Sequence, residues 1–114
     1  MPEQEIRISV TFEFKRNLRG LAKKFLSIRS DLQPIIDQLF RGELPGDKIP
    51  GAKVPVYKVR IKNSDIQKGK RAGYRCIYYL KSRQDIVLVT IYSKSDQSDI
   101  SNSRIHTIIN EMGY

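Results

Sequence analysis

The sequence predicts an α+β fold in which two helices cover one face of a mainly antiparallel four-stranded sheet, in the order β-α-α-β-β-β-α with a short C-terminal helix. Three observations predict it. An alternating apolar segment opens the chain, two consecutive helical stripes follow, and three strand-like segments joined by short polar connectors come next. With 114 residues, 39% of them apolar and 29% charged, residues 1–114 are expected to form one domain around one core.

Ile6, Ile8, Val10, Phe12 and Phe14 alternate with Arg7, Ser9, Thr11 and Glu13, the period of a strand with one buried face. At Asn17, a candidate N-cap, the period changes. Leu18, Leu21, Ala22, Phe25 and Leu26 form an amphipathic helical stripe with Lys23, Lys24 and Arg29 outside it. Ser30-Asp31-Leu32-Gln33 has the spacing of a capping box, which predicts a second helix with Pro34 in its first turn. Leu32, Ile35, Ile36, Leu39 and Phe40 form its stripe, Gly42 fits its C-terminus, and Pro45 to Gly51 reads as a loop.

Tyr57, Val59 and Ile61 then alternate with Lys58, Arg60 and Lys62, so a strand that buries the first set turns three cations to the opposite face. Beyond a polar connector at 63–73, Tyr74 to Leu80 and Ile86 to Tyr92 predict two more strands around a turn at 82–85. Ile105, Ile108, Ile109 and Met112, preceded by polar cap candidates at 99–103, predict the last helix. The first two helices leave the face bearing Lys58, Arg60 and Lys62 partly open.

Twenty-one Lys and Arg against 12 Asp and Glu give a net charge of +9. The excess is local. Lys53, Lys58, Arg60, Lys62, Lys68, Lys70, Arg71 and Arg75 stand against Asp65 alone, which is +7 within 23 residues. Such a patch is either a solubilising surface or a polyanion site, for which nucleic acid is the commonest cytoplasmic ligand. A lone Cys76 excludes an intrachain disulfide, and the chain lacks the His and Cys set of a structural zinc site. No apolar run is long enough for a membrane span, and the acidic start at Met1 to Glu5 is unlike a secretory signal, so a cytoplasmic setting is expected.

Several segments in their order resemble the RelE/ParE superfamily of toxins from bacterial toxin-antitoxin pairs. They are Val56-Tyr57-Lys58-Val59-Arg60-Ile61, Gly69-Lys70-Arg71-Ala72-Gly73-Tyr74-Arg75-Cys76-Ile77-Tyr78-Tyr79, Ile91-Tyr92-Ser93-Lys94 and Ser98-Asp99-Ile100-Ser101. The glycine-lysine connector is most similar to the HigB-type branch. The resemblance implies a RelE-like fold, ribosome-dependent cleavage of messenger RNA, and restraint by a cognate antitoxin. It implies catalytic roles for Lys58, Arg60, Arg75 and Lys94. Two positions depart from well-known members, which carry an arginine after that lysine and a tyrosine near the start of the last helix. Here Ser95 and Ser101 stand there, so the resemblance names no general acid.

Cleavage of RNA by its own 2′-hydroxyl needs a base, charge stabilisation at phosphorus and a proton for the leaving 5′-oxygen. The one histidine, His106, lies on the predicted last helix beside Ile105 and reads as structural. No G-x-S-x-G elbow or phosphate loop is present. Lysine, arginine and tyrosine remain. Lys58, crowded by Arg60 and Arg75, is the candidate base; Arg75 is expected to grip the scissile phosphate with help from Arg60, and Lys94 to add charge or a proton. Lys62, Lys68, Lys70 and Arg71 are expected to bind RNA phosphates, and Tyr79 and Tyr92 to stack on bases or donate a proton. Cys76 alternates away from Arg75 and reads as buried. No metal or small-molecule cofactor is expected, and the expected partners are an antitoxin, the ribosome and messenger RNA. The alternatives are a ParE-like inhibitor of DNA gyrase and an RNA-binding module without catalysis.

Overall fold

The computed structural model describes residues 5–66 and 72–113. Strand β1 (Arg7–Val10) leads into helices α1 (Phe12–Lys24) and α2 (Ile28–Phe40). Strands β2 (Asp47–Lys48), β3 (Val56–Ile61), β4 (Tyr74–Leu80) and β5 (Asp85–Ser93) follow, and α3 (Asn102–Glu111) ends the described chain. The sheet order is β1-β5-β4-β3-β2, antiparallel except for the edge pair β1 and β5. The α+β class is as expected, with five strands instead of four. The extra strand comes from the proline- and glycine-rich stretch. There Gly46, at φ +87°, runs so close to β3 that a Cβ would meet the Lys58 carbonyl, and Asp47 and Lys48 pair with Lys58 and Tyr57.

Both helices of the hairpin begin earlier than the sequence pattern indicates. The alternation through Phe14 belongs to a strand only as far as Val10, and Phe12 is 76% exposed. Thr11 is the N-cap of α1, its Oγ1 accepting from the Phe14 N–H at 2.9 Å. Asn17 is therefore inside the helix, where its side-chain amide donates to Thr90 Oγ1 and the Ile91 carbonyl and docks α1 on β5. Helix α2 starts at Ile28 rather than Ser30, with Ser27 as a cap that makes no side-chain bond. Pro34 thus falls in the second turn, where its missing N–H removes the rung to Ser30 on the exposed side.

The hairpin packs on one sheet face. Phe14, Leu21, Ile28, Leu32 and Leu39 meet Val59, Ile61, Tyr74, Cys76, Tyr78, Ile86, Leu88 and Ile91. On the other face, Ile105, Ile108 and Ile109 of α3 cover Val56, Ile77 and Val89. Helix α3 therefore closes one end of the face expected to stay open. Ser101 caps it, accepting from the Arg104 N–H, and Arg104 pairs with Glu13 of α1.

A bulge in β5 decides what the uncovered end presents. Tyr78 pairs with Leu88 but Ile77 with Thr90, which leaves Val89 as the inserted residue. The insertion reverses the alternation beyond it, so Tyr92 and not Ile91 stands beside Arg75. Thr11 fastens this kink, donating from Oγ1 to the Val89 carbonyl at 2.6 Å. Among the described residues no helix is long and apolar enough to cross a membrane.

Candidate active site

Sheet register brings Arg60, Arg75 and Tyr92 into one row across β3, β4 and β5. Alternation turns all three away from the helical hairpin, and Lys58 lies two residues along on the same face. Directly opposed residues on antiparallel neighbours have Cβ atoms about 5 Å apart, so the two guanidinium groups start side by side. Arg75 is the inner one, 5% exposed against an exposed Arg60. Its Nη1 donates to the Tyr74 carbonyl at 3.2 Å. Burial lowers the pKa of Arg75 below the usual arginine value, and the Arg60 charge adds to the effect. So basic a group stays charged throughout, and a partly desolvated cation is a stronger partner for an anion than a hydrated one.

Lys58 is half-buried at the margin of the α3 core, and its Nζ donates to Asp99 Oδ1 at 3.1 Å. The Asp99 carboxyl is held below its ordinary range, first by the Ile100 N–H and then by Lys58. Asp99 is the one residue of this cluster that the sequence reading did not single out for chemistry. Its only signal is an acid within Ser98-Asp99-Ile100-Ser101. Nothing local places it against a lysine 41 residues away.

Lys94 follows β5 directly, its backbone N–H bonded to the Gly73 carbonyl and its Nζ to the Ser98 carbonyl at 2.6 Å. The 94–99 turn therefore holds both site lysines, one by a carbonyl and the other by a carboxylate. Ser95 bonds with Ser93, and Ser101 is occupied as the α3 cap. Lys62 is exposed just beyond β3, whereas Lys68, Lys70 and Arg71 lie outside the described residues.

The two tyrosines part company. Tyr92 is 5% exposed and its hydroxyl is itself buried without a hydrogen-bond partner, so neither the ring faces nor the phenol end is open to a base or phosphate. Burial raises its pKa, with Asp99 adding and Arg75 opposing. Tyr79 shares the face but lies under α3, where it lines a cavity of about 210 Å³ with Lys53 and His106. His106 accepts there from the Lys53 N–H at 3.1 Å, which ties α3 to the segment before β3. Cys76 is fully buried on the hairpin face, and burial pushes its thiol up to about 12.

A hairpin-backed antiparallel sheet with a cationic row on its opposite face defines a class of small α+β proteins built around an exposed basic sheet surface. The chain belongs to one family within it: residues 15–112 match the family described as the RelE toxin of the RelE / RelB toxin-antitoxin system. Members of this family are toxins of toxin-antitoxin pairs and generally translation-inhibiting endoribonucleases, and a cognate antitoxin is the partner that membership implies. No curated protein matches the chain significantly.

Proposed function

We propose that this protein is a HigB-like messenger RNA endoribonuclease that acts on the ribosome in the cytoplasm without a metal ion, and that its antitoxin restrains it. One observation supports the reading most: Arg60, Arg75 and Tyr92 share a row, with Lys58 beside it, on the sheet face that α3 leaves uncovered. Arg75 and Arg60 hold the scissile phosphate with their planar donor forks and stabilise the charge that develops at phosphorus. Lys58 takes the 2′-hydroxyl proton. The Asp99 carboxylate, which accepts from Lys58 Nζ, orients the side chain and stabilises the ammonium that results. The attacking oxygen forms its bond to phosphorus as the bond to the 5′-oxygen breaks, and Lys94 contributes charge or a proton to the leaving group. Lys62, Lys68, Lys70 and Arg71 bind phosphates along the strand.

Mapping RNA 5′ ends in a purified translation system tests this, with wild-type protein and Arg75→Ala, with and without ribosomes. The expected result is new ends only with wild-type protein and ribosomes. Cleavage by folded Arg75→Ala at the wild-type rate would refute the assignment of Arg75. Ends made on free RNA would refute ribosome dependence.

A further inference from the structure

Beside the cationic row, around the end of β5, an open groove of about 280 Å³ runs between α1 and the 93–97 turn. Tyr92 and Ser93 line it, so the groove adjoins the proposed catalytic row. Its α1 wall carries the helical stripe Arg16, Gly20 and Lys24, spaced four residues apart, with Asn17 and Leu21 beside it. Arg16 and Lys24 are exposed cations at the two ends of that wall. Arg16 reaches Glu13 only at 3.6 Å, and Glu13 is already bonded to Arg104 and Thr90.

Gly20 has no structural reason to be glycine. It is absent from the positive-φ glycines, and a Cβ there would meet nothing within 4 Å. Inside a helix a glycine is destabilising relative to alanine. What the missing side chain leaves is space in the middle of the groove wall. The opposite wall carries acceptors instead of cations. Asp96 presents a carboxylate there, and Gln97, whose amide nitrogen donates to the Asp99 carbonyl, keeps its amide oxygen. On the α1 side, Asn17 spends its nitrogen on β5 and retains an oxygen.

A cationic wall opposite an acceptor wall, with a gap between them large enough for a base, matches a nucleotide. Its phosphate goes to Arg16 and Lys24, and its 2′-hydroxyl or exocyclic amine donates to Asp96. We propose that this groove is a subsite for a nucleotide of the messenger strand flanking the cleaved bond, and that Gly20 keeps it open. The inference rests on the RNA-cleaving reading of the neighbouring row. A double-helical partner is disfavoured, because the Asp96 carboxylate would face a second row of phosphates.

The test is an NMR titration of the full chain with oligoribonucleotides made uncleavable by 2′-O-methylation at the attacking position. A dinucleotide spans only the scissile phosphate, and a tetranucleotide also reaches the groove. For wild type, the longer RNA is expected to bind about tenfold more tightly, since each accommodated base contributes on that scale. The Gly20 amide and the Asn17 and Gln97 side-chain amides shift only with the longer RNA. Gly20→Leu fills the groove, raises helix stability and is expected to lose the length-dependent gain while binding the dinucleotide as wild type does. Gly20→Ala, too small to fill it, keeps the gain. Thermal melts of each variant identify any that fail to fold, in which case Lys24→Glu reads the same loss. An equal gain in folded Gly20→Leu and wild type would overturn the proposal and leave the cleavage reading standing. No length-dependent gain in wild type would likewise overturn the proposal, whereas the cleavage reading stands or falls on the 5′-end mapping with ribosomes.

Discussion

Replacing Thr11 with valine isolates the fastening on which both the fold and the placement of Tyr92 depend. The two side chains have nearly the same shape, and Thr11 is 1% exposed, so the change removes a hydroxyl from the interior without opening a cavity. Two hydrogen bonds disappear: the cap bond from the Phe14 N–H at 2.9 Å and the bond to the Val89 carbonyl at 2.6 Å. A lost threonine cap costs about 1 kcal/mol, and a buried partner left unpaired costs about 1–3 kcal/mol, so the combined loss is about 2–4 kcal/mol. For a chain of this size that lowers the melting temperature by about 8–16 °C. Urea unfolding followed by circular dichroism measures it, with Thr11→Ser as the control that restores the hydroxyl and recovers most of the loss. The Val89 kink also loosens, so the backbone amides of 89–92 are expected to gain hydrogen exchange beyond those of β4. A stability change below about 0.5 kcal/mol for Thr11→Val would refute the reasoning, because a buried hydroxyl with two partners cannot be removed so cheaply.

Asp99→Asn removes the charge that orients and stabilises the Lys58 ammonium while keeping the shape, and is expected to lower kcat by about tenfold with KM little changed. Because the pair is largely exposed, stability moves by less than about 1 kcal/mol, and partial recovery in Asp99→Glu separates an orienting role from a structural one. Cys76 gives a pH prediction: its folded pKa of about 12 lies above that of an exposed thiol, near 8.5, so the unfolded chain loses the proton first. Its stabilising contribution is complete below about pH 8.5 and declines as the pH rises toward 12, and Cys76→Ala, followed by urea unfolding at several pH values, flattens that decline.

What was legible in the sequence was whatever had a local period. The strands around Tyr57, Tyr74 and Ile86 fall where the sequence pattern places them, and parity alone put Lys58 and Arg60 on one face, to which the resemblance added Arg75. The first helix was misplaced because Phe12 and Phe14 extend a period-2 pattern past the residue that ends the strand. The competing signal, Thr11 with a free hydroxyl before an apolar stripe, is one residue long. Tyr92 could be set beside Arg75 only through the Val89 insertion, since an unbroken β5 would have put Ile91 there. No local pattern announces a bulge whose purpose is satisfied by a threonine 78 residues away. Asp99 and the α1 groove were invisible for the same reason. Each is made by segments that meet only after the sheet has formed.

The cationic row also works against the fold that carries it. Like charges directly opposite on adjacent strands are destabilising, and Arg60 and Arg75 occupy such a pair while Asp99 is engaged by Lys58. The strands hold because their other face is buried: Val59, Ile61, Tyr74 and Cys76 alternate with these cations and lock β3 and β4 under the hairpin. Register cannot slip by one residue to separate the arginines without turning that apolar set out into water. The repulsion is thus fixed in place by the core, and an anion arriving from outside lowers it. On the proposed function, a phosphate of RNA or an acidic side chain of the antitoxin supplies that relief. Both would compete for the same charge, so restraint of the toxin and binding of its substrate are opposing uses of one electrostatic feature.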